Sequence, residues 1–287
     1  MTRDKTAIDE YAACVDAVSA QRVRLHGPQG DGDSWGGNLA RLFRADPNRE
    51  LDANLEIIAS YVQPQDVVVD VGGGAGRVSL PLALRCREVV HVEPSAGMRT
   101  EFTAAASEAG ITNARLVGAD WLETVGVQGD LVFTADVTYF VRDIVAFIER
   151  LEAAARRRVV IALWSEPPPN LGATRFRMAY GEDQAPLPGH SQLLQVLWEL
   201  NILPDLRVLP GSPWWYVDPL QTREEAVQWA LLQGHWLDPS QEEQARRAIE
   251  SQFGQLFQEE PLGYRPMWQR PIKELLITWE PHRASQP

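Results

Sequence analysis

Cysteine is scarce in this 287-residue sequence, which contains only Cys14 and Cys86. Two cysteines form neither a disulfide framework nor a zinc cluster, and no His-x-x-x-His spacing or paired acidic cluster stands out as another metal site. No apolar stretch is long enough to span a bilayer, and the first residues lack the apolar segment of a secretory signal. We therefore expect a protein of the reducing cytoplasm with no bound metal and no membrane segment.

Positive charge is also limited, because 27 Lys and Arg residues stand against 39 Asp and Glu residues, a net charge of −12. A nucleic-acid-binding surface needs a basic stripe. The densest basic run, Arg156–Arg158, lies between a helix pattern and an apolar strand pattern and is typical of a solvated helix end. The composition therefore predicts that the partner is not a nucleic acid.

Apolar residues, in contrast, make up 45% of the chain and include ten tryptophans, which is enough for a sizeable core. Strand and helix patterns alternate from Asp66 onward, and the strand segments are continuous apolar runs. Such runs are typical of a parallel sheet buried between two layers of helices. The predicted strands are 66–71, 88–93, 114–118, 130–134 and 158–163, and the helices between them are 76–85, 95–109 and 142–155.

The segments on either side of this alternation have different patterns. Residues 1–61 show helical spacing without a strand signal, which predicts a helical cap. Its helices are expected at 5–25, 36–45 and 48–61. Beyond Pro167–Pro169, helices are expected at 171–180, 189–201, 222–234 and 239–257, and strands at 206–209, 214–217 and 272–279. The regions 206–217 and 272–279 would supply antiparallel strands at the end of the sheet.

A glycine-rich turn follows the first strand, in the segment Val-Val-Val-Asp-Val-Gly-Gly-Gly-Ala-Gly at 67–76. Glycines allow positive φ angles and let a ligand approach the main chain closely. The dinucleotide pattern G-x-G-x-x-G fails here, because its sixth position, counted from Gly72, is Arg77. No Gly-Lys-Ser/Thr follows, which excludes a P-loop. The pattern present is acidic-x-G-x-G-x-G, from Asp70 to Gly76.

This pattern resembles the first motif of the class I S-adenosylmethionine-dependent methyltransferases, and three further motifs of that family follow in order up to residue 140. The resemblance implies a Rossmann-like, doubly wound α/β fold with a seven-stranded, mostly parallel sheet. It also implies S-adenosyl-L-methionine as the cofactor and S-adenosyl-L-homocysteine as the product. The methyltransferase domain would comprise 62–282, with the cap 1–61 before it, a helical insertion at about 218–262 and a tail at 283–287.

The resemblance also implies cofactor-binding residues in the first two motifs. Asp70 would organise the glycine loop and the cofactor's amino end, or else simply form the turn. Glu93 ends the second strand, where a carboxylate can accept hydrogen bonds from the two ribose hydroxyls. Met98 would pack on the adenine, with ordinary core packing as the alternative. The full set from these motifs is Asp70, Gly72, Gly73, Gly74, Gly76, Glu93, Pro94 and Met98.

The third and fourth motifs add Asp120, Trp121, Ala135 and Asp136 to this set. Asp120 would accept a hydrogen bond from the adenine amino group, or form a turn, with Trp121 supplying a flat apolar surface beside it. Asp136 follows the fourth strand and is a candidate catalytic base, although this loop contacts the cofactor only through its backbone in many members of the family. The Asn-Pro-Pro-Tyr pattern of adenine and glutamine N-methylases is absent.

Outside the motifs, the candidate site residues are isolated. His190 and His235 could act as general bases near neutral pH, and Glu166 lies on the same side of the predicted sheet. Aromatic residues near the ends of predicted elements could line an apolar acceptor pocket. These are Trp35, Tyr180, Trp214, Trp215, Tyr216 and Trp236.

Together these patterns predict an enzyme that transfers a methyl group in line from the cofactor to a small-molecule acceptor. The alternatives are a nicotinamide-dependent oxidoreductase, which the missing sixth-position glycine disfavours, a non-catalytic S-adenosylmethionine-binding protein, and a methyltransferase that acts on a protein. A deep aromatic cavity would favour a small acceptor, whereas an open acidic groove would favour a basic protein segment. The sequence does not indicate the acceptor, the methylated atom or the oligomeric state.

Overall fold

A seven-stranded sheet forms the centre of the computed structural model, which describes residues 5–28, 32–232 and 242–282. The strands are β1 Val67–Val71, β2 Glu88–Val92, β3 Ala114–Val117, β4 Gly129–Ala135, β5 Ala155–Trp164, β6 Asp205–Val208 and β9 Glu274–Trp279. Their order is β3-β2-β1-β4-β5-β9-β6, and β9 alone runs in the direction opposite to the other six strands. The prediction of a doubly wound, seven-stranded and mostly parallel sheet is therefore confirmed.

Eleven helices are found in the described residues, most of them packed on this sheet. They are α1 Ala7–His26, α2 Asn38–Leu42, α3 Ala53–Ala59, α4 Ser79–Ala83, α5 Ala96–Glu108, α6 Ile144–Ala154, α7 Ala173–Tyr180, α8 His190–Glu199, α9 Arg223–Leu232, α10 Glu242–Ser251 and α11 Phe253–Leu256. The helix α1 begins with a capping box, in which Thr6 and Asp9 each accept from the other's backbone N–H. No helix in the described ranges is long and apolar enough to cross a membrane.

Two layers of helices bury the two faces of the sheet, as the continuous apolar strands require. Every residue of β1 is buried, because alternate side chains point to opposite layers. On one face α3, α4 and α5 pack on Val68, Leu131 and Val160. On the other face α1, α6 and α8 pack on Val69 and Ile161. The carboxyl ends of the parallel strands therefore share one edge of a rigid sheet, which we call the carboxyl edge.

Two sequence predictions about the C-terminal half were wrong. Residues 214–217, expected to form a strand, lie in a turn and an irregular segment. The helix expected over 239–257 is interrupted at Gln252, whose φ and ψ of −116° and 24° separate α10 from α11. Its last residue, Phe257, opens a hairpin that the sequence analysis missed, formed by β7 Phe257–Glu260 and β8 Gly263–Pro266.

A second, smaller apolar cluster holds the C-terminal helices together. It includes Ala226 and Val227 of α9, Ile249 of α10 and Phe257 of the hairpin. Ala179 of α7 belongs to the same cluster, and Tyr264 and Trp268 pack against it. The proposed insertion at 218–262 thus shares its core with residues on both sides of those bounds, and the domain boundaries stay a prediction. The proposed tail at 283–287 lies outside the described residues.

Candidate active site at the carboxyl edge

The glycine loop leaves β1 with three glycines in the left-handed region. Gly72, Gly74 and Gly76 have φ angles of 68°, 57° and 80°. The N–H of Gly72 donates to the carbonyl of Val92 at 2.8 Å, so the loop begins hydrogen-bonded to the end of β2. Non-glycine residues occupy this region only at a cost. The predicted alternation of glycines therefore matches the backbone that the turn adopts.

The contacts that an added Cβ atom would make differ among the three glycines. A Cβ atom on Gly72 would lie 2.6 Å from Val137 Cγ2, and one on Gly76 would lie 2.6 Å from Phe102 Cδ2. A Cβ atom on Gly74 would meet only Met98 Sδ, at 3.6 Å. The protein's own side chains thus require glycine at 72 and 76. At Gly74 the backbone faces open space beside Met98.

Glu93 connects the end of β2 to the middle of this loop. Its Oε2 accepts the N–H of Gly74 at 2.8 Å and its Oε1 accepts the N–H of Ser95 at 2.8 Å. Burial raises the pKa of Glu93, and the two backbone N–H groups oppose that rise. Each carboxylate oxygen can accept a second hydrogen bond. Glu93 can therefore accept hydrogen bonds from two hydroxyl groups beside Gly74.

His91, which the sequence analysis did not single out, lies beneath the loop two residues before Glu93. Its Nε2 is 3.0 Å from the carbonyl oxygen of Gly74, and its Nδ1 is 3.1 Å from Ser79 Oγ and 3.3 Å from Asp70 Oδ2. Both Asp70 carboxyl oxygens are buried and accept no hydrogen bond from a described residue. A Cβ atom on Gly73 would overlap the Asp70 carboxyl and the His91 ring. Asp70 and His91 thus support the loop from below.

The N-terminal cap is fixed to the same end of β2 by Asp33, a residue that no sequence pattern marked. Asp33 Oδ2 accepts from Ser95 Oγ and from the N–H of Gly97, both at 2.8 Å. These contacts, the Gly97 N–H foremost, lower the pKa of Asp33. The loop at 32–37 therefore lies over the start of α5, next to Glu93.

The other predicted cofactor residues occupy different surroundings. Met98 is 4% exposed and packs with Ala40 and Ala75, and its Sδ would lie 3.6 Å from a Cβ on Gly74. Pro94 is exposed at the start of α5. Asp120 is exposed, and its Oδ1 accepts the N–H of Leu122 at 2.7 Å as in a turn.

Trp121, which was predicted to offer a flat surface beside Asp120, is 6% exposed and belongs to the main core. Its indole N–H has no hydrogen-bond partner among the described residues. Ala135 ends β4 and pairs with Ala162 of β5. None of these observations tests contact with a cofactor, so the roles of Asp120, Trp121 and Ala135 stay predictions.

Asp136 is held in an unusual backbone conformation directly after β4. Its φ is 58°, and it shares a positive φ with only one other non-glycine residue in the described part of the chain, Asn201. Its N–H donates to the carbonyl of Ala162 at 3.0 Å, which fixes the residue to β5. Strained non-glycine residues are concentrated at functional sites because the surrounding structure must maintain them. The positive φ therefore makes Asp136 a candidate functional residue of its loop.

Tyr139 connects the Asp136 carboxyl to β5. The Tyr139 hydroxyl donates to Asp136 Oδ1 at 3.0 Å and accepts the N–H of Trp164 at 2.6 Å. Burial raises the pKa of Asp136 to about 7, even though the Tyr139 hydrogen bond favours its ionised form. The same loop is tied to the cap, because the Tyr11 hydroxyl donates to the carbonyl of Thr138 at 2.6 Å.

Glu274 is a second carboxyl at this edge, and the sequence analysis treated it only as part of a strand. It opens β9 and pairs with Trp164 of β5. Asn54 of α3 donates from Nδ2 to Glu274 Oε2 at 2.7 Å and accepts the N–H of Gly211 at 2.6 Å. Burial, and then the charge of Asp136, raise the pKa of Glu274 to about 7. The signal in the sequence was an acidic residue at the start of a strongly apolar strand.

Five aromatic rings form a chain of edge-to-face contacts at the carboxyl edge. Successive ring centroids are 5.5 to 6.1 Å apart. Three of these rings are 39 to 40% exposed. They come from the cap, from the loop after β4 and from the segment that follows β6. We call the set the edge aromatics; in order of contact they are Phe140, Trp35, Phe43, Trp214 and Trp215.

Arg77, immediately after the glycine loop, contacts the same cluster. Its guanidinium carbon lies 4.1 Å from the centre of the Trp214 ring. No residue in the described ranges accepts a hydrogen bond from this guanidinium. Burial lowers the pKa of Arg77 to about 10, so the group stays cationic at neutral pH. The edge aromatics therefore contact one cation, and at their other end Phe140 packs on Tyr139, which donates to Asp136.

Several other predicted site residues are placed elsewhere. His190 begins α8, and its buried Nδ1 has no partner among the described residues and makes no hydrogen bond to Asp136. Tyr180 packs against His26 of α1, with ring centroids 5.6 Å apart. Tyr216 donates to the carbonyl of Arg270 at 2.6 Å, and Glu166 pairs with the Arg270 side chain. His235 and Trp236 lie outside the described residues.

A surface cleft of about 330 Å³ lies at the opposite edge of the sheet, between the start of β5 and the end of β9. Its lining includes Arg158, Asp205 and Trp279. It does not border the glycine loop. Within the described residues, no group of three His, Cys, Asp or Glu side chains is arranged to hold a metal ion.

The central part of the chain matches a known protein family. Residues 69–162, from β1 to β5, match a family model described as a methyltransferase domain. This match includes the glycine loop, Glu93 and Asp136. No curated protein matches the sequence.

Solved structures resemble the fold over most of the chain. The YcgJ protein of Bacillus subtilis has a TM-score of 0.54 at 14% identity, covering 80% of this chain and 99% of that one. A Bacillus halodurans C-125 protein described as a methyltransferase has a TM-score of 0.54 at 13% identity, covering 79% and 96%. The [4+2]-cyclase SpnF has a TM-score of 0.51 at 11% identity, covering 96% of both chains. At these identities the likeness shows the fold alone.

Proposed function

We propose that this chain, whose residues 69–162 match a methyltransferase domain, is a class I S-adenosylmethionine-dependent methyltransferase that methylates a small, largely apolar molecule. The observation that carries this proposal is the row of edge aromatics, which reaches Tyr139, the residue that donates a hydrogen bond to Asp136. Small-molecule sites are lined mainly by apolar and aromatic side chains with a few polar groups among them. Acceptor specificity would come from these rings.

The described residues fit the cofactor. The open space at Gly74 and the second lone pairs of Glu93 suit a ribose with two hydroxyls beside the loop. The buried Asp70 carboxyl, which no described residue satisfies, fits a site that receives a cationic group nearby. When bound, the cofactor supplies an electrophilic methyl group, whose bond to sulfur breaks with the electron pair left on a neutral thioether.

The chain's own residues would then align the acceptor and exclude water. A neutral leaving group needs no acid, so alignment and a dry site account for most of the catalysis. The edge aromatics would hold the flat or apolar body of the acceptor. This arrangement favours methyl transfer over nicotinamide chemistry, for which the glycine loop lacks the required spacing.

Calorimetric titration with S-adenosylhomocysteine tests the cofactor site. We expect binding by the wild type and at least about tenfold weaker binding by Glu93→Ala, because a hydrogen bond to a charged acceptor contributes about 1.5–3 kcal/mol. Glu88→Ala, at the other end of β2, is the matched control and should bind normally. NADH should not bind. A folded wild type that ignores S-adenosylhomocysteine would overturn the assignment.

The acceptor class is tested by transfer of a labelled methyl group to a panel of small aromatic and aliphatic molecules and to basic peptides. We expect label on small molecules, and an acceptor KM about tenfold higher in Trp214→Leu, as the loss of one aromatic contact predicts. Trp198→Leu, in an exposed position on α8, is the control. Label found only on peptides would replace the small acceptor with a protein.

A further inference from the structure

We propose that Asp136 and Glu274 form a carboxyl pair that takes a proton from the acceptor. The acceptor's nucleophile would then be an ionisable hydroxyl or an acidic carbon, rather than an amine or a thioether. This inference rests on the proposed function, because it concerns the chemistry of the same acceptor site. It assigns a role to Glu274 that the motifs of the central domain do not include.

The first support is the convergence of three strands at one point. β4 ends at Ala135, opposite Ala162, and Asp136 follows directly. Two residues farther along β5, Trp164 lies opposite Glu274 in the antiparallel pair. The Tyr139 hydroxyl bridges the gap, with Asp136 Oδ1 on one side and the Trp164 N–H on the other. The two carboxyls therefore flank the same short piece of backbone.

The direction of β9 explains why its first residue is at this edge. β9 runs antiparallel to β5, so its start lies where the parallel strands end. The rest of β9, from Leu275 to Trp279, is buried, and only Thr278 among these residues is polar. A partly buried carboxyl at its start costs free energy unless another group satisfies it. Asn54 supplies a single hydrogen bond to Glu274, which leaves further acceptor capacity.

The surroundings of both carboxyls raise their pKa values toward neutral pH. Burial raises the pKa of each to about 7, and the charge of Asp136 opposes ionisation of Glu274. Of the other charged groups that face Glu274, Asp52 raises its pKa and Arg77 lowers it. Carboxyls that are coupled through their charges titrate in linked steps rather than independently. A base is most effective when its pKa is near the working pH.

The proton balance of the reaction follows from this arrangement. The acceptor's O–H or C–H proton passes to the Asp136 carboxylate, and the electron pair left on oxygen or carbon forms the bond to the methyl carbon. After the product leaves, the proton passes from the pair to water. Burial and the Asp136 charge hold the pKa of Tyr139 well above its usual value, so its phenol stays neutral and orients the carboxylate. A neutral amine or thioether already has a free lone pair and needs no such base.

The first test measures the pair without any turnover. In ¹³C NMR, the carboxyl signals of Asp136 and Glu274 in the ligand-free protein should titrate in coupled steps near pH 7. Asp136→Asn removes the opposing charge and should lower the pKa of Glu274, while Asn tolerates the positive φ at 136. Two independent titrations near pH 4 would overturn the proposal. Binding of S-adenosylhomocysteine by each variant shows that the fold and the cofactor site are intact.

The second test compares matched acceptors with labelled methyl transfer: 1-naphthol and a 1,3-diketone against 1-naphthylamine and thioanisole. We expect transfer to the first two, with a rate that rises through about pH 7. Asp136→Asn should lower kcat by about 10²–10⁴-fold, and Glu274→Gln should move the pH midpoint downward.

Glu166→Gln, another carboxyl beyond β5 that pairs with Arg270, is the control and should leave the pH profile unchanged. Transfer confined to the amine or the thioether, or a profile that Glu274→Gln does not move, would contradict the proposal. If no compound in the panel accepts a methyl group, the NMR titration decides the question alone. Failure of S-adenosylhomocysteine to bind the wild type would instead count against the proposed function.

Discussion

The two halves of the carboxyl edge are built in different ways. At β1 and β2 the site is local: Asp70, the glycine loop and Glu93 lie within a single βαβ unit, and backbone N–H groups make the main contacts. At β4, β5 and β9 the site is assembled by side chains from distant segments, including Trp35, Asn54 and Glu274. The first half depends on chain conformation. The second depends on long-range packing, so it is the half in which specificity can vary.

Substitution of Gly73 or Gly74 by alanine should have the largest effect, and it tests the half of the edge at β1 and β2 most directly. Gly73→Ala would force a Cβ into Asp70 and His91, and we expect a loss of about 3 kcal/mol or more of stability. Gly74→Ala should cost only about 1–2 kcal/mol of backbone strain yet weaken S-adenosylhomocysteine binding at least about tenfold.

The matched control for Gly74 is Gly110→Ala, where φ is also positive, at 67°, and no atom lies within 4 Å of the added Cβ. Both variants should lose a similar amount of stability in thermal melts, and only Gly74→Ala should lose calorimetric affinity. Equal affinities in the two variants would show that no ligand lies against Gly74.

The next largest effect is expected in the half of the edge at β4, β5 and β9, as a pH dependence of stability. The folded-state pKa of Asp136 is raised from 3.8 to about 7, so the wild type loses stability as pH rises through that window. We expect Asp136→Asn to be more stable than wild type by about 2–4 kcal/mol at pH 8, with no difference below about pH 4. Urea unfolding at several pH values measures this. A difference that does not change with pH would mean that Asp136 is ionised normally.

The smallest effect is expected where the two halves meet, at Asp33. Asp33→Asn removes the charge that accepts from Ser95 and Gly97, and Asp33 is exposed. We expect the acceptor KM to rise only about two- to fivefold, since exposed charged contacts contribute less than about 1 kcal/mol. The difference in KM should disappear at acid pH, where Asp33 becomes protonated. Because the pKa of Asp33 is lowered, the side chain stays charged until the pH falls below the usual range for a carboxyl. Asp16→Asn, on the exposed side of α1, is the steady-state kinetic control.

The sequence predicted the fold and the conformation of the glycine turn well because both follow from short-range rules. Continuous apolar runs identified the parallel strands, and the glycine spacing identified the turn. The strand expected at 214–217 was wrong because its tryptophans and tyrosine fit a strand pattern but serve as edge aromatics and turn residues instead. The hairpin at 257–266 was missed because its first residues continue a helical pattern.

The half of the edge at β4, β5 and β9 could be predicted only in part. Trp35, Trp214 and Trp215 were recognised as pocket candidates, but nothing in the sequence indicates that they meet Phe43 and Phe140. Asn54 and Asp33 lie in the cap, where no pattern relates them to β9 or α5. Polar residues inside apolar strands, such as His91 and Glu274, were the one available signal, since such residues are rarely buried without a partner.

The position of β9 also has a consequence for synthesis on the ribosome. Two hundred residues separate Gly74 from Glu274, which corresponds to roughly 10 to 40 s of translation. During that interval the strands from β1 to β5 can assemble, while the edge of β5 that later pairs with β9 has no partner strand. We expect the nascent chain to form its glycine loop before Glu274 is made, and the open edge of β5 to need protection until then.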